Sequence, residues 1–164
     1  MTVPSAVDIN VVLVEPEIPH NTGAIGRLCV GLGARLHLVE PLGFYIDDAE
    51  VRRCGLDYWP HLDLRVHASW DAFLASEQPQ DIFFASVRGE RDLYECRFRR
   101  GGYLVFGSET RGLPMSLRDA CRDRLYRIPM PGTHARSINL ANAVSIVAYE
   151  AYRQIRPDAG QNST

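Results

Sequence analysis

Polar side chains that could act on a ligand are concentrated in three short segments of the sequence. These are residues 21–27 with Asn21 and Arg27, residues 107–114 with Gly107 and Glu109, and residues 136–143 with Ser137 and Asn139. An arginine side chain is a planar fork of donors that suits phosphate, and an asparagine amide supplies both a donor and an acceptor. Glycine at the end of a strand lets a ligand approach the backbone closely. Together these residue types predict a site for a nucleotide-like ligand.

The first segment also has a purely structural interpretation. Asn21 or Thr22 would cap a helix, and Gly23 would permit a tight turn into it. Arg27 would then be an ordinary exposed arginine. The preceding residues 15–19 (EPEIP) form a long and rigid lead-in that a simple cap does not need, which favours a role beyond capping.

The other two segments allow similar alternatives. Gly107 could belong to a tight turn before Pro114, and Ser137 could cap the last helix. Asn139 and Asn142 would then lie in the first turns of that helix, where asparagine is a poor helix former. Their presence indicates side chains used for hydrogen bonds to a ligand or to a neighbouring loop.

Alternating strand and helix patterns position these segments. Strands are predicted at 9–14, 35–39, 64–67, 81–86, 103–106 and 125–128, and helices at 21 to 31 or 33, 47–54, 70–76, 114–121 and 139–156. The predicted fold class is α/β, a mostly parallel sheet with helices on both faces. Ligands of such sheets lie beyond the carboxyl ends of the strands. The loops after the last three strands, 85–89, 107–114 and 129–137, are rich in glycine, proline and polar residues, whereas no G-x-G-x-x-G motif is present.

Length and composition limit the class of protein. The 164 residues are 46% hydrophobic and 23% charged, which predicts one globular domain over 1–156 and a disordered polar tail over 157–164. The sequence has no apolar run long enough to span a membrane and no secretory leader pattern, so we expect a cytoplasmic protein. Its four cysteines form no C-x-x-C and no close Cys/His pair, so we expect free thiols and no metal.

The charge is distributed unevenly along the chain. All 18 basic residues are arginine, and the net charge is −2. Residues 1–87 carry 5 arginines and 12 acidic residues, whereas residues 88–164 carry 13 arginines and 8 acidic residues. A local basic surface can bind phosphate on an acidic protein. Five arginines are candidates for such a phosphate-binding surface, namely Arg88, Arg91, Arg97, Arg99 and Arg100.

The last predicted helix has an apolar stripe that continues around its surface. The stripe contains Leu140, Ala143, Val144, Val147, Ala148 and Ala151, and Ile146, Tyr149 and Tyr152 extend it. A helix that is apolar on more than one side is either deeply buried or packed against another subunit. We expect a homodimer formed through residues 139–156.

The three segments, in this order, resemble the SPOUT superfamily of RNA methyltransferases, and within it the TrmL (YibK-like) family of tRNA wobble-nucleotide 2'-O-methyltransferases. The resemblance rests on EPEIPHNTGAIGRLC, FGSETRGLP and IPMPGTHARSINLANAVSIVAYEA, with EPLGF at 40–44 and GLDYW at 55–59, and covers residues 9–156. It implies a deep trefoil knot in the C-terminal third. It also implies S-adenosylmethionine as cofactor, bound by Ala85, Gly107, Glu109, Ile128, Met130 and Ser137.

The resemblance further implies a reaction and its residues. A ribose 2'-hydroxyl would attack the sulfonium methyl group in line. Arg27 would be the main catalytic residue, Asn21 would position the nucleotide, and Ser137 and Asn139 would complete the site. Guanidinium stays protonated in proteins, so Arg27 would bind a phosphate and stabilise the developing alkoxide, while a phosphate oxygen or Glu109 would accept the proton.

The resemblance implies that the substrate is a cytidine or uridine at the wobble position of tRNA, on the anticodon stem-loop. The five arginines between Arg88 and Arg100 would then face this RNA. One alternative is the same transfer to another tRNA position or to ribosomal RNA. A second is a non-catalytic RNA-binding module of the same fold, and a third is an unrelated nucleotide-binding α/β protein.

Overall fold

A seven-stranded parallel sheet with helices on both faces forms the protein. The computed structural model describes residues 8–47, 49–53 and 57–157. The strands are β1 (Ile9–Val14), β2 (Arg35–Val39), β3 (Leu64–His67), β4 (Ile82–Ala85), β5 (Arg91–Asp92), β6 (Gly102–Phe106) and β7 (Leu125–Arg127). The α-helices are α1 (Pro19–Leu32), α2 (Ala49–Arg53), α3 (Trp70–Glu77), α4 (Met115–Ala120) and α5 (Leu140–Ile155). The strand order is β3-β2-β1-β6-β4-β7-β5, and every pairing is parallel.

The apolar strand sequences explain why the sheet is covered on both faces. β1 (INVVLV) and β6 (GYLVF) are buried along their whole length, as expected for central parallel strands. Val11 and Leu13 face the side on which α1 and α5 pack, whereas Val12 and Val14 face the side of α3 and α4. The predicted α/β class with helices on both faces is therefore confirmed.

All six predicted strands are present, and a seventh was missed. β5 has only two residues, Arg91 and Asp92, which is too short to give a hydrophobic pattern. The predicted cap of α3 is confirmed, since the Ser69 hydroxyl accepts a hydrogen bond from the Ala72 amide at 3.0 Å.

The helix caps considered for α1 and α5 were wrong. Neither Asn21 nor Thr22 caps α1, because the helix begins earlier, at Pro19, whose fixed φ suits a first helical position. Ser137 does not cap α5 either. The cap is Asn139, whose Oδ1 accepts hydrogen bonds from the amides of Ala141 at 2.9 Å and Asn142 at 3.3 Å.

β7 lies between β4 and β5, although it follows both of them in the chain. The connection from β4 to β5 therefore crosses β7. The Ser86 amide donates to the Tyr126 carbonyl at 2.9 Å, and a Cβ added to Gly89 would lie 2.7 Å from the carbonyl carbon of Tyr126. Such a crossing is a feature that the implied trefoil knot requires; the knot itself stays a prediction from the resemblance.

Some sequence predictions concern residues outside those described. These are the helix start at Asp48, the thiol of Cys54, the first two residues of GLDYW, and the polar tail beyond residue 157. The thiols of Cys29, Cys96 and Cys121 are free. Within the described ranges, no helix is both long enough and apolar enough to span a bilayer.

Candidate active site

The loops that follow β4, β6 and β7 surround one cavity of about 370 Å³. The three strands are close neighbours in the sheet, so their carboxyl ends bring the loops together. Apolar side chains supply much of the lining, which includes Phe106, Leu113, Ile128, Met130, Ile138 and Leu140. The location agrees with the sequence prediction for a site at the ends of the last three strands.

All six residues predicted to bind the cofactor line this cavity. They are Ala85, Gly107, Glu109, Ile128, Met130 and Ser137. The structure thus brings them together, although they are distributed over three loops. Their role in binding stays a prediction.

Gly107 is required by the fold of its own loop. Ser108 and Gly112 form a bridge with two backbone hydrogen bonds of 3.0 Å each, which turns the loop back on itself. A Cβ added to Gly107 would overlap the backbone of Gly112 and Leu113. The group that closely approaches Gly107 is therefore the backbone of the same loop, whereas the sequence analysis expected a ligand there. The folded loop forms one wall of the cavity.

Glu109 joins this loop to the start of α1. Its carboxylate accepts hydrogen bonds from the amides of Glu17 at 2.7 Å and Ile18 at 3.1 Å, and from the Asn21 side chain at 3.3 Å. The first turn of α1 has no acidic residue and no side-chain cap, so Glu109 supplies the negative charge that a helix N-terminus favours.

The third segment is attached to the same network. The Asn139 Nδ2 donates to the Asn21 Oδ1 at 3.0 Å, while the Asn139 Oδ1 caps α5. Asn21 is 5% exposed, and its amide is held from both sides, by Glu109 and by Asn139. The three segments singled out in the sequence therefore meet through Glu109, Asn21 and Asn139. Asn139 therefore does use its side chain for a hydrogen bond to another part of the chain, but the partner lies in helix α1 and not in a neighbouring loop as predicted.

A second carboxylate supports the loop from the outside. The Thr110 hydroxyl donates to both carboxylate oxygens of Glu17, at 2.7 and 2.8 Å. Hydrogen bonds from Thr110 and Ser108 lower the pKa of Glu17 below its usual value. The carboxylate is therefore ionised at neutral pH, beside the rim of the cavity.

Arg27 lies apart from the cavity. It is exposed on α1, and its guanidinium carbon is 5.7 Å from the centre of the Tyr58 ring. The Tyr58 hydroxyl donates to the carbonyl of Gly23 at 3.1 Å, which fixes the ring against the helix. Arg27 does not belong to the cavity lining, so the structure does not bring it together with the six predicted cofactor residues.

The predicted RNA-facing arginines do not form one surface. Arg88 lines the cavity, but Arg97 and Arg99 line a different cavity of about 320 Å³ at the opposite edge of the sheet, near the starts of β4 and β6. Arg91 contacts the Tyr126 ring, and the Arg100 guanidinium donates to the carbonyl of Ile155.

Three further arginines line the candidate site and were missed by the sequence analysis. They are Arg111, Arg118 and Arg136. With Arg88 they give the cavity four arginines. Among the three missed arginines, Arg111 lies in segment 107–114 and Arg136 in segment 136–143. Their place in these two segments could have identified them from the sequence.

Comparison with known proteins gives close matches over almost the whole chain. The sequence profile of the SpoU rRNA methylase family matches residues 8–149. A tRNA (cytidine(34)-2'-O)-methyltransferase of Burkholderia pseudomallei (strain 1106a) is 50% identical over 155 residues, which are 92% of this chain and 98% of that protein.

Solved structures with the same fold include two informative cases. A structure that concerns the 2-OH methylation of C/U34 on tRNA has a TM-score of 0.83 and 50% identity, and covers 89% of this chain and 95% of its own. The SpoU methyltransferase AviRb from Streptomyces viridochromogenes, in complex with AdoMet, has a TM-score of 0.80 and 26% identity. That match covers 91% of this chain and 58% of AviRb.

Proposed function

Because the chain belongs to the SpoU rRNA methylase family, we propose that it methylates the ribose 2'-hydroxyl of a cytidine or uridine at wobble position 34 of tRNA. The methyl donor is S-adenosylmethionine. The observation that carries this proposal is the cavity built by three loops and tied to α1 through Glu109 and Asn21. The tRNA-specific relative, 50% identical over nearly its full length, favours tRNA over ribosomal RNA as the substrate.

The cavity fits the proposed cofactor. Sites for small molecules have volumes of roughly 300–1,000 Å³, with mainly apolar walls and a few polar groups. This cavity has about 370 Å³, apolar walls from all three loops, and the polar groups of Ser108, Glu109 and Ser137. When bound, S-adenosylmethionine supplies a methyl group on a positively charged sulfur atom.

The residues of the chain then align the ribose and stabilise charge. Asn21 and Asn139 hold α1 and α5 in fixed positions beside the cavity, and Ser137 lines the cavity directly. From the exposed face of α1, Arg27 binds the phosphate next to the reacting ribose and so helps to align the 2'-hydroxyl. Alignment of the reacting groups supplies a large part of the rate enhancement.

Glu109 acts in this proposal as a positioning residue. Its carboxylate already accepts three hydrogen bonds, two of them from backbone amides. These donors occupy three of the roughly four lone-pair sites of the carboxylate and stabilise its ionised form, which makes it a weaker base. The proton acceptor that we retain is therefore a phosphate oxygen of the RNA.

Mapping the methylated nucleotide tests the function directly. The purified protein is incubated with labelled S-adenosylmethionine and total tRNA, and the product is mapped by mass spectrometry. Label on the ribose of nucleotide 34 is the expected result. Label on a base, at another tRNA position, or on ribosomal RNA alone would contradict the assignment. No transfer and no calorimetric binding of the cofactor would favour a non-catalytic RNA-binding module.

Replacing Arg27 is expected to reduce activity without reducing stability. Arg27→Ala should lower kcat/KM by at least about 100-fold and Arg27→Lys by at least about 10-fold, since an ammonium cannot bind a phosphate with a planar fork. The melting temperature should stay within a few degrees because the side chain is exposed. Arg122→Lys, on another exposed arginine, serves as the matched control. Arg27→Lys with most of its activity would argue against bidentate phosphate binding.

The arginines of the cavity are expected to set the salt dependence of tRNA binding. Replacing Arg111 and Arg136 by glutamine should reduce the slope of log K against log salt by about 1 to 2, since each lost phosphate contact reduces it by roughly 0.7–0.9. The paired variant Arg97→Gln/Arg99→Gln should leave the slope unchanged, because both residues lie at the opposite edge of the sheet. If the slope instead fell in Arg97→Gln/Arg99→Gln and stayed unchanged in the variant of Arg111 and Arg136, the RNA-binding arginines would be those between Arg88 and Arg100.

We also propose that the protein is a homodimer formed through residues 139–156. On α5, Ile146 is 37% exposed and Tyr149 is 51% exposed, whereas Val144, Val147, Ala148 and Ala151 on the opposite side are buried in the core. Light scattering should give twice the 18.4 kDa of one chain. The variant Ile146→Glu/Tyr149→Glu should give the mass of one chain. A wild-type monomer would refute the dimer.

The substrate also defines the expected compartment and contacts. A tRNA substrate places the protein in the cytoplasm, and methylation at position 34 implies contact with the anticodon stem-loop. No metal is needed for the transfer, because the methyl group is already activated.

A further inference from the structure

A compact group of buried metal-ligating side chains lies outside the candidate active site. His37 comes from the middle of β2, His67 from the end of β3, and Glu77 from the last turn of α3. His37 is fully buried and His67 is 7% exposed, and the Glu77 side chain is 6% exposed. None of the three belongs to the cavity lining at the carboxyl ends of β4, β6 and β7.

The three possible ligand atoms face one another. The His37 Nδ1 is 3.0 Å from the His67 Nε2, and the Glu77 Oε1 is 3.9 Å from the first and 4.0 Å from the second. A point equidistant from the three atoms lies about 2.1 Å from each of them. This distance matches the roughly 2.0–2.2 Å bonds that zinc forms with imidazole nitrogen and carboxylate oxygen. A metal ion therefore fits among them with little movement.

The hydrogen bonds around His37 leave a lone pair on its Nδ1, which can bind a metal ion. The His37 Nε2 is 3.0 Å from the Asn10 Oδ1, and the same oxygen accepts from the Arg35 guanidinium at 3.3 Å. Because the Asn10 Nδ2 is directed to the carbonyls of Gly101 and Gly102, its Oδ1 is the acceptor for the histidine. The proton of His37 is thus on Nε2, and the lone pair is on Nδ1. Metal-binding histidines are oriented by such a bond from the second ring nitrogen.

Glu77 supplies the negative charge. The Arg65 guanidinium donates to its two carboxylate oxygens at 3.0 and 3.2 Å, and the Tyr103 hydroxyl donates to its Oε2 at 3.1 Å, so that polar partners hold the buried carboxylate in place. The Arg65 guanidinium that binds Glu77 is a competing cation, but its side chain is 44% exposed and also lies 3.8 Å from Asp63. Arg65 can therefore turn to Asp63 when a metal ion takes its place.

We propose that His37, His67 and Glu77 form a binding site for one divalent transition-metal ion, with zinc as the best-suited ion. Two imidazoles and one carboxylate are a ligand set typical of zinc, and three protein ligands leave a position for water. His67 changes tautomer on binding, so that its Nε2 becomes a ligand. The ion would join β2, β3 and α3, at a distance from the methyl-transfer chemistry.

Titration of the metal-free, full-length protein with zinc chloride tests this site. Calorimetry should give one equivalent per chain with a Kd below about 10 μM, and the melting temperature should rise because only the folded chain offers the three ligands. Cobalt chloride should give the visible absorption of a four-coordinate ion. His67→Gln and Glu77→Gln should each weaken zinc binding by at least about 100-fold.

The exposed histidines provide a matched control. His61→Gln and His134→Gln should leave the stoichiometry and the affinity unchanged, since both residues are exposed and neither belongs to the cluster. A wild-type protein without saturable binding, or binding that is lost in the control variants and kept in His67→Gln and Glu77→Gln, would overturn the proposal.

A measurement on the wild-type protein tests the site even if the substituted proteins fail to fold. Imidazole ¹⁵N spectra should show zinc-induced shifts at the His37 Nδ1 and the His67 Nε2, while the His37 Nε2 stays protonated. Shifts confined to His20, His61 and His134 would show that zinc binds at the surface only, and the proposal would fail.

Discussion

Replacing Gly107 by alanine is expected to weaken cofactor binding strongly and to destabilise the protein. The added Cβ would overlap the backbone of Gly112 and Leu113, and a backbone cannot turn aside as a side chain can. Overpacking of this kind costs about 1–3 kcal/mol or more. The loop would open, and one wall of the cavity would be lost. Calorimetry should show at least about a 100-fold weaker affinity for S-adenosylmethionine, and the melting temperature should fall by several degrees.

Gly31→Ala is the matched control for this substitution. Gly31 lies in α1, and a Cβ added there meets no atom within 4 Å. Alanine should stabilise the helix by up to about 1 kcal/mol and leave cofactor affinity unchanged. Wild-type affinity in Gly107→Ala would mean that the loop does not form the cofactor site.

Replacing Glu109 by glutamine is expected to lower methyl transfer by about 10- to 100-fold and stability by about 2 kcal/mol. The carboxylate accepts hydrogen bonds from the Glu17 and Ile18 amides through different oxygens. Glutamine has one acceptor oxygen, and its amide nitrogen would face a donor. Urea unfolding measures the stability, and kcat with tRNA measures the effect of a displaced α1 and Asn21.

The pH dependence of this variant separates positioning from proton transfer. If Glu109 positions α1, kcat should fall by the same factor at every pH, so that the pH profile keeps its shape. Loss of the acidic limb of the profile in Glu109→Gln would identify Glu109 as the proton acceptor. Glu90→Gln, on an exposed glutamate in the connection that crosses β7, should behave as the wild type.

The fold class could be predicted because its central strands are continuously apolar. β1 and β6 are continuously buried, and such runs identify central parallel strands from the sequence alone. β5 could not be predicted, since a two-residue strand is defined by its pairing with β7 and carries no pattern of its own. The start of α1 was misplaced because Pro19 opens the helix before the polar residues that resemble caps.

The candidate site was predictable only in part. The cavity residues were identified through strand ends and through the family resemblance, and the structure brings all six together. The role of Asn139 as both cap and bridge depends on Asn21, which lies 118 residues away in the sequence. No local pattern contains that contact.

The proposed metal site and the separation of the arginines could not be predicted either, because both depend on how the chain folds and not on local sequence. His37 and His67 are 30 residues apart in the sequence, which is not a spacing typical of metal ligands. The sequence analysis therefore expected no metal site. The five arginines between Arg88 and Arg100 are close in sequence, but the chain crosses the sheet between them and separates Arg88 from Arg97 and Arg99.

The position of β7 between two earlier strands means that the cavity can form only late in synthesis. On the ribosome, β4, β5 and β6 emerge before β7, and a chain that ends before residue 125 has only two of the three loops of the cavity. A chain truncated before that point therefore cannot assemble the cavity. If the cavity holds the proposed cofactor, cofactor binding would report that the chain has been made at least as far as Ala143 and that β7 has taken its place between β4 and β5.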